Sequence, residues 1–113
     1  MRFSIITVVY NDLDNLKKTC RSVSRQTFDD YEHLIIDGGS DDGTLDFLKS
    51  FSASDSHVRF ISEKDNGIYD AMNKAIAMAE GDYILFLNAG DRFHERDTLS
   101  KIADKCSMLN AEC

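Results

Sequence analysis

Four short apolar runs alternating with segments of helical spacing predict an α/β fold, a three-layer α/β/α sandwich on a mainly parallel sheet. Two features support this reading. The runs are apolar almost throughout, as strands covered on both faces are. Helices between strands in turn imply parallel neighbours joined by right-handed crossovers, with the first strand inside the sheet.

The first run, Phe3–Val9, reads FSIITVV. Its β-branched content, and the lack of a small-residue cleavage site after it, favour a strand over the apolar core of a signal peptide. Asn11 and Asp12 then offer capping oxygens, and Leu13, Leu16, Cys20 and Val23 recur at helical spacing. A second strand, Tyr31–Asp37, ends at Gly38-Gly39. A helix from about Thr44 puts Leu45, Leu48 and Phe51 on one stripe, and the serine-rich stretch 52–56 reads as a loop. Val58–Ser62 is the third strand. Asp65-Asn66-Gly67 precedes a helix bearing Ile68, Met72, Ala75, Ile76 and Ala79, which Gly81 stops. Residues 83–87 (YILFL) form the fourth strand, and a last helix carries Leu99, Ile102, Ala103, Cys106 and Leu109.

The 113 residues fit one domain, and 42% hydrophobic content can bury a core. Twenty acidic residues against 13 basic ones give a formal net charge of −7. The chain has no long basic surface run, so nucleic acid is not an expected partner. No apolar run approaches the roughly 20 residues that span a bilayer. Cys20, Cys106 and Cys113 are odd in number and lack CxxC spacing, and two fall at apolar helix positions. They read as reduced core thiols in the cytoplasm. His33, His57 and His94 make no metal spacing and read as surface residues.

Ligands of open parallel sheets bind beyond the carboxyl ends of the strands, where strand order reverses. The residues just past three strand ends are Tyr10-Asn11, Asp37-Gly38-Gly39 and Asn88-Ala89-Gly90-Asp91, and they should converge on one edge. In the turn 37–44 (DGGSDDGT), glycines permit close approach of a flat or phosphorylated ligand. Asp37 can accept from a base or ribose, and Asp41 or Asp42 can cap the next helix. The same octapeptide also reads as a strand-to-helix turn without a ligand. Asp91 either binds a divalent cation bridging a diphosphate or caps the last helix or a turn. Tyr10 either stacks on a base or packs half-buried. The helix after Asp65-Asn66-Gly67 can present its N-terminus to a diphosphate or simply be capped there. Neither GxGxxG nor GxxxxGK[ST] occurs, which argues against an NAD-type oxidoreductase and a P-loop.

In order and spacing, SIITVVYN, SRQTF, YEHLIIDGGSDDGT and DNGIYDAMNKAIAMAEGDYILFLNAGD resemble the family 2 glycosyltransferases of GT-A fold, from Phe3 to about Asp97. The resemblance implies inverting transfer of a sugar from a nucleoside diphosphate sugar to a hydroxyl, in bacterial polysaccharide synthesis. It implies that residues 1–113 are the N-terminal, nucleotide-sugar-binding part of the domain. Val8, Tyr10 and Asn11 would hold the base, Asp37 and Gly38 would belong to the nucleoside-binding turn, and Asp65, Asn66 and Asn73 would line the donor site. Asn88, Ala89, Gly90 and Asp91 stand at the metal motif, with Asp91 as the anionic ligand of Mg2+ or Mn2+.

Gly38 replaces the second acidic residue common in relatives and so leaves the base unidentified. The general base and the site for a saccharide or lipid-linked acceptor are expected outside this chain, in the full-length parent. By itself the chain then reads as a donor-binding portion or, alternatively, as a catalytically incompetent nucleotide-binding or interaction module. Surface left uncovered by the rest of the domain predicts a homo-oligomer, with the last helix as one contact. The cytoplasm, or the inner face of its membrane, is the expected location.

Overall fold

The computed structural model describes residues 2–64, 67–93 and 95–109. The elements run β1 (Phe3–Val9), α1 (Leu13–Ser24), β2 (Tyr31–Asp37), α2 (Thr44–Ser54), β3 (Val58–Ser62), α3 (Ile68–Met78), β4 (Tyr83–Phe86) and α4 (Thr98–Leu109). All strand pairs are parallel, in the order β3-β2-β1-β4. Strand order therefore reverses at β1, which pairs Phe3 with both Tyr31 and Tyr83.

That reversal decides the layers. Crossovers of one hand that step one way through α1 and α2 place α3 on the opposite face when the chain returns to β4. Ile6, Leu34 and Ile36 accordingly pack on Ala71 and Ala75 of α3. On the other face, Phe3 and Ile5 meet Val23, Leu99 and Ala103, while Val9 and Ile35 meet Leu16, Cys20 and Leu48. The result is the expected three-layer sandwich, with both faces of β1 and β2 buried.

Several local expectations differ. α2 continues to Ser54, where a loop is expected; the Ser52 and Ser54 hydroxyls donate back to the Lys49 and Phe51 carbonyls, so these serines are satisfied within the helix. β4 ends at Phe86, though the Leu87 N–H still donates to the Ile6 carbonyl (2.8 Å). Ile76 is half-exposed, since α3 rests on its two alanines. α3 ends at Met78, before Gly81. Gly81 instead lies against β1, where a Cβ would come within 2.6 Å of Ser4 Oγ.

The histidines depart most. His33 is fully buried, and its Nε2 lies 2.8 Å from Thr7 Oγ1. His57 stacks on Tyr31 with ring centroids 4.2 Å apart, its two nitrogens facing Asp55 and Asp29. His33 is therefore not a surface residue, while His57 keeps about a quarter of its side chain exposed (25%) beside the sheet. His94 and Cys113 lie outside the described residues, as does the side chain of Cys106. Cys20 is a free, buried thiol, pushed up to about 12 by desolvation.

Glu32 is almost wholly buried at the amino end of the sheet. Its carboxylate accepts from Ser4 Oγ, the Glu80 N–H and Arg59, each at 2.6 Å. Burial alone would raise its pKa, but these donors outweigh it and hold the carboxyl below its ordinary value. Two apolar side chains on β4, Ile84 and Phe86, remain 39% and 45% exposed on the α3 side of the sheet. α4, by contrast, places Leu99 and Ala103 in the core. Among the described residues no helix is long and apolar enough to cross a membrane.

Candidate functional site

A cavity of about 720 Å³ opens at the carboxyl end of β1 and β2. It is lined by Val8, Val9, Tyr10, Gly38, Gly39, Lys64 and Gly67. Tyr10 is 64% exposed at its mouth, so its ring is not packed away. Gly39 adopts φ +90°, and a Cβ there would touch the Lys64 backbone at 3.4 Å. The positive φ favours a glycine at that wall.

The turn after β2 is held by its own side chains. Asp37 is fully buried. Its Oδ1 accepts from the Ser40 N–H and hydroxyl, and its Oδ2 accepts from Ser62 Oγ at 2.7 Å. Both oxygens are thus engaged within the protein, and Asp37 shapes the turn from beneath. Asn11, at φ 47°, joins the β1 exit to the same turn: its N–H donates to Ser40 Oγ (2.7 Å), and its Oδ1 accepts the Asp41 N–H (2.8 Å).

The cap of α1 does not come from Asn11 or Asp12. Asp42 accepts the Leu13 N–H at 3.1 Å, together with the Thr44 N–H and hydroxyl, and so caps the starts of both α1 and α2. These bonds, the Thr44 hydroxyl's foremost, hold the Asp42 carboxyl below its ordinary value. Asp12 instead accepts from Asn15 Nδ2 at 3.0 and 3.1 Å.

The exit of β4 forms a second, adjoining turn. The Asp91 N–H donates to the Asn88 carbonyl (2.8 Å), and Asp91 Oδ2 accepts the Asn88 N–H (3.2 Å). Thr19, fully buried on α1, holds this turn: its hydroxyl accepts the Gly90 N–H (2.9 Å) and donates to the Asp91 carbonyl (2.6 Å). Asp91 Oδ1 has no protein partner among the described residues, and no group of three metal-ligating side chains occurs among them. This donor set suits only a cation that draws most of its ligands from phosphate and water, as Mg2+ and Mn2+ do.

Of the residues expected at the site, Val8, Tyr10 and Gly38 line the cavity. Asn11 and Asp37 lie behind its walls, and Asn88, Ala89, Gly90 and Asp91 stand at the end of the strand beside β1. Asn73 is exposed on α3 and is not among the lining residues. Asp65 and Asn66 lie outside the described residues. Lys64 and Thr19 were missed. Lys64 follows the third strand's exit, which the strand-end rule could have flagged. Thr19 carries no signal, since a threonine inside an amphipathic helix reads as ordinary.

Parallel strands in this order, a cavity at their carboxyl ends and an acidic turn after β4 define an open parallel α/β domain with a candidate ligand site at its switch point. The family model for glycosyl transferase family 2 matches residues 4–111, and the chain belongs to that family. A PGL/p-HBAD biosynthesis glycosyltransferase of Mycobacterium bovis is 40% identical over 102 residues, covering 89% of this chain and 40% of the relative. A putative teichuronic acid biosynthesis glycosyltransferase of Bacillus subtilis is 35% identical over 99 residues, covering 87% and 39%. The mannosyltransferase PcManGT of Pyrobaculum calidifontis, solved with GDP-Man and Mn2+, superposes with a TM-score of 0.84 at 20% identity, covering 93% of this chain and 32% of that one. The fold is therefore that of GT-A glycosyltransferases. The chain spans about two fifths of the length of the curated relatives it matches.

Proposed function

We propose that this chain forms the donor-binding edge of an inverting glycosyltransferase. It would take a nucleoside diphosphate sugar for transfer to a saccharide or lipid-linked hydroxyl in bacterial polysaccharide synthesis. The observation that carries the reading is the 720 Å³ cavity, with an exposed aromatic ring, a glycine wall and one lysine at the sheet's switch point. Tyr10 stacks on the base, and Gly38 and Gly39 let the nucleoside approach the backbone. Lys64 faces the diphosphate. Asp91, held by Thr19, offers one carboxylate oxygen to Mg2+ or Mn2+; when bound, that ion offsets charge on the leaving diphosphate. Asn73, with Asp65 and Asn66, completes the donor contacts. The exposed Ile84 and Phe86, and not α4, mediate self-association. The location is cytoplasmic, at or near the inner membrane face.

Calorimetric titration of the chain with UDP, GDP and dTDP in the presence of Mn2+ tests the reading. One nucleotide should bind, Tyr10→Ala should weaken it by about tenfold or more, and Asp91→Asn should abolish the manganese dependence. Absence of heat with every nucleotide refutes donor binding.

A further inference from the structure

A second cavity, of about 380 Å³, lies on the outer side of α1. Five cations line it: Lys18 and Arg21 from α1, Arg25 from its carboxyl cap, and Arg92 and Arg96 from the segment after β4. They are five of the chain's 13 lysines and arginines, gathered on a protein of net charge −7. None of the five forms an ion pair among the described residues. Glu95 also lines the cavity, but its carboxylate is engaged by Lys101 at 2.7 Å.

The arrangement is built rather than incidental. Lys18, Arg21 and Arg25 stand at spacings of three and four, which places them on one side of the helix. Phe93, Glu95 and Arg96 run alongside and form a strap pinned at three levels. The Phe93 N–H donates to Ser22 Oγ (3.1 Å), Gln26 Nε2 donates to the Glu95 carbonyl (2.7 Å), and the Thr27 N–H donates to the Arg96 carbonyl (2.7 Å). Gln26 is nine-tenths buried, and its Oε1 also accepts the Leu99 N–H at 2.9 Å. Favourable interaction with the carboxyl end of α1 would account for Arg21 and Arg25 alone. It does not account for Arg92 and Arg96, which come from another segment and close the opposite wall. Five like charges around a concave space, none ion-paired among the described residues, repel one another, and an anion placed there would relieve that repulsion.

We propose that this cavity is a binding site for a phosphate or diphosphate group, separate from the donor cavity. Guanidinium groups on two walls suit bidentate contact with phosphate oxygens. Arg25 lies roughly 18 Å along α1 from Leu13, the residue capped beside the donor turn, so the two sites sit toward opposite ends of that helix. The phosphate belongs either to a lipid headgroup or to a soluble phosphorylated molecule.

The test is NMR titration of the chain with inorganic pyrophosphate at constant ionic strength. Saturable shifts are expected at the Arg21, Arg25, Arg92 and Arg96 amide and Nε signals. The double variants Arg92→Gln/Arg96→Gln and Lys18→Gln/Arg21→Gln, one on each wall, should each weaken binding by about tenfold or more. Retained signal dispersion in either variant shows that the loss is local. A second arm sediments the chain with phosphatidylglycerol or phosphatidylcholine vesicles. Binding to the former alone, lost in both variants, identifies a headgroup. Pyrophosphate binding without sedimentation identifies a soluble phosphate. Shifts confined to Tyr10 and Lys64, shifts reproduced by chloride, or shifts unaltered in both variants would overturn the proposal.

Discussion

Replacing His33 by leucine should remove most of the chain's loss of stability between neutral and mildly acidic pH. Thr7 has one hydroxyl hydrogen and gives it to the Leu87 carbonyl at 2.7 Å. The 2.8 Å contact with His33 must then be a donation from imidazole Nε2–H to Thr7 Oγ1. That choice leaves Nδ1 as a buried lone pair, and Nδ1 has no partner among the described residues. A proton there would create a charge in the core, so desolvation brings the imidazole down to about 4, with the Asp55 charge offsetting only part of this.

A folded pKa below the unfolded value of 6.5 means that the unfolded chain binds the extra proton. The contribution of His33 is therefore intact above the unfolded value and is lost as pH falls toward the folded one. Linkage puts the loss at about 2 kcal/mol between about pH 7.5 and about pH 5, and about 3 kcal/mol once both values are passed. His57 has the opposite sign. Burial opposes its charging, but Asp55 and Asp29 outweigh that and raise it, so its contribution is present at low pH and fades as pH rises through its folded value. Both proteins carry His57, so it cancels in the difference. Urea unfolding followed by far-ultraviolet circular dichroism at the two pH values should show the Leu variant gaining about 2 kcal/mol on the parent at the lower pH. Parallel stability–pH curves would refute the buried, neutral assignment.

Three other outcomes follow from particular contacts. Thr19→Val strands the Gly90 N–H and should cost about 1–3 kcal/mol in urea unfolding while loosening the Asp91 turn, read as faster amide exchange at Gly90 and Asp91. Glu32→Gln turns an amide N–H toward donors from Ser4, Glu80 or Arg59, and should lower the urea midpoint by about 1–3 kcal/mol equivalent with an unchanged m-value. Phe86→Glu should reduce self-association in sedimentation velocity, whereas Lys105→Glu on the exposed side of α4 should not.

The sequence by itself determined the elements, their order and the strand ends where the site lies. Apolar runs such as Phe3–Val9 and helical stripes such as Leu16, Cys20 and Val23 are local patterns, because burial on both faces or on one face imposes a period that a single chain segment can display. The motif order was enough to place the family as well. The roles within the turns were not local. Asp37 reads as a ligand contact, and the tertiary structure gives it a further role, accepting from Ser40 and Ser62. Asp42 reads as a cap for α2, yet it also caps α1, from 29 residues away.

His33 reads as a surface residue because nothing in YEHLIID says that Thr7, on the neighbouring strand, will lie beside it. The five cations are spread over residues 18–96 and make no basic run, so their convergence was invisible until α1 and the strap were set side by side. Hydrogen-bond partners and charge clusters depend on which segments the sheet order makes neighbours, and only the tertiary structure decides that.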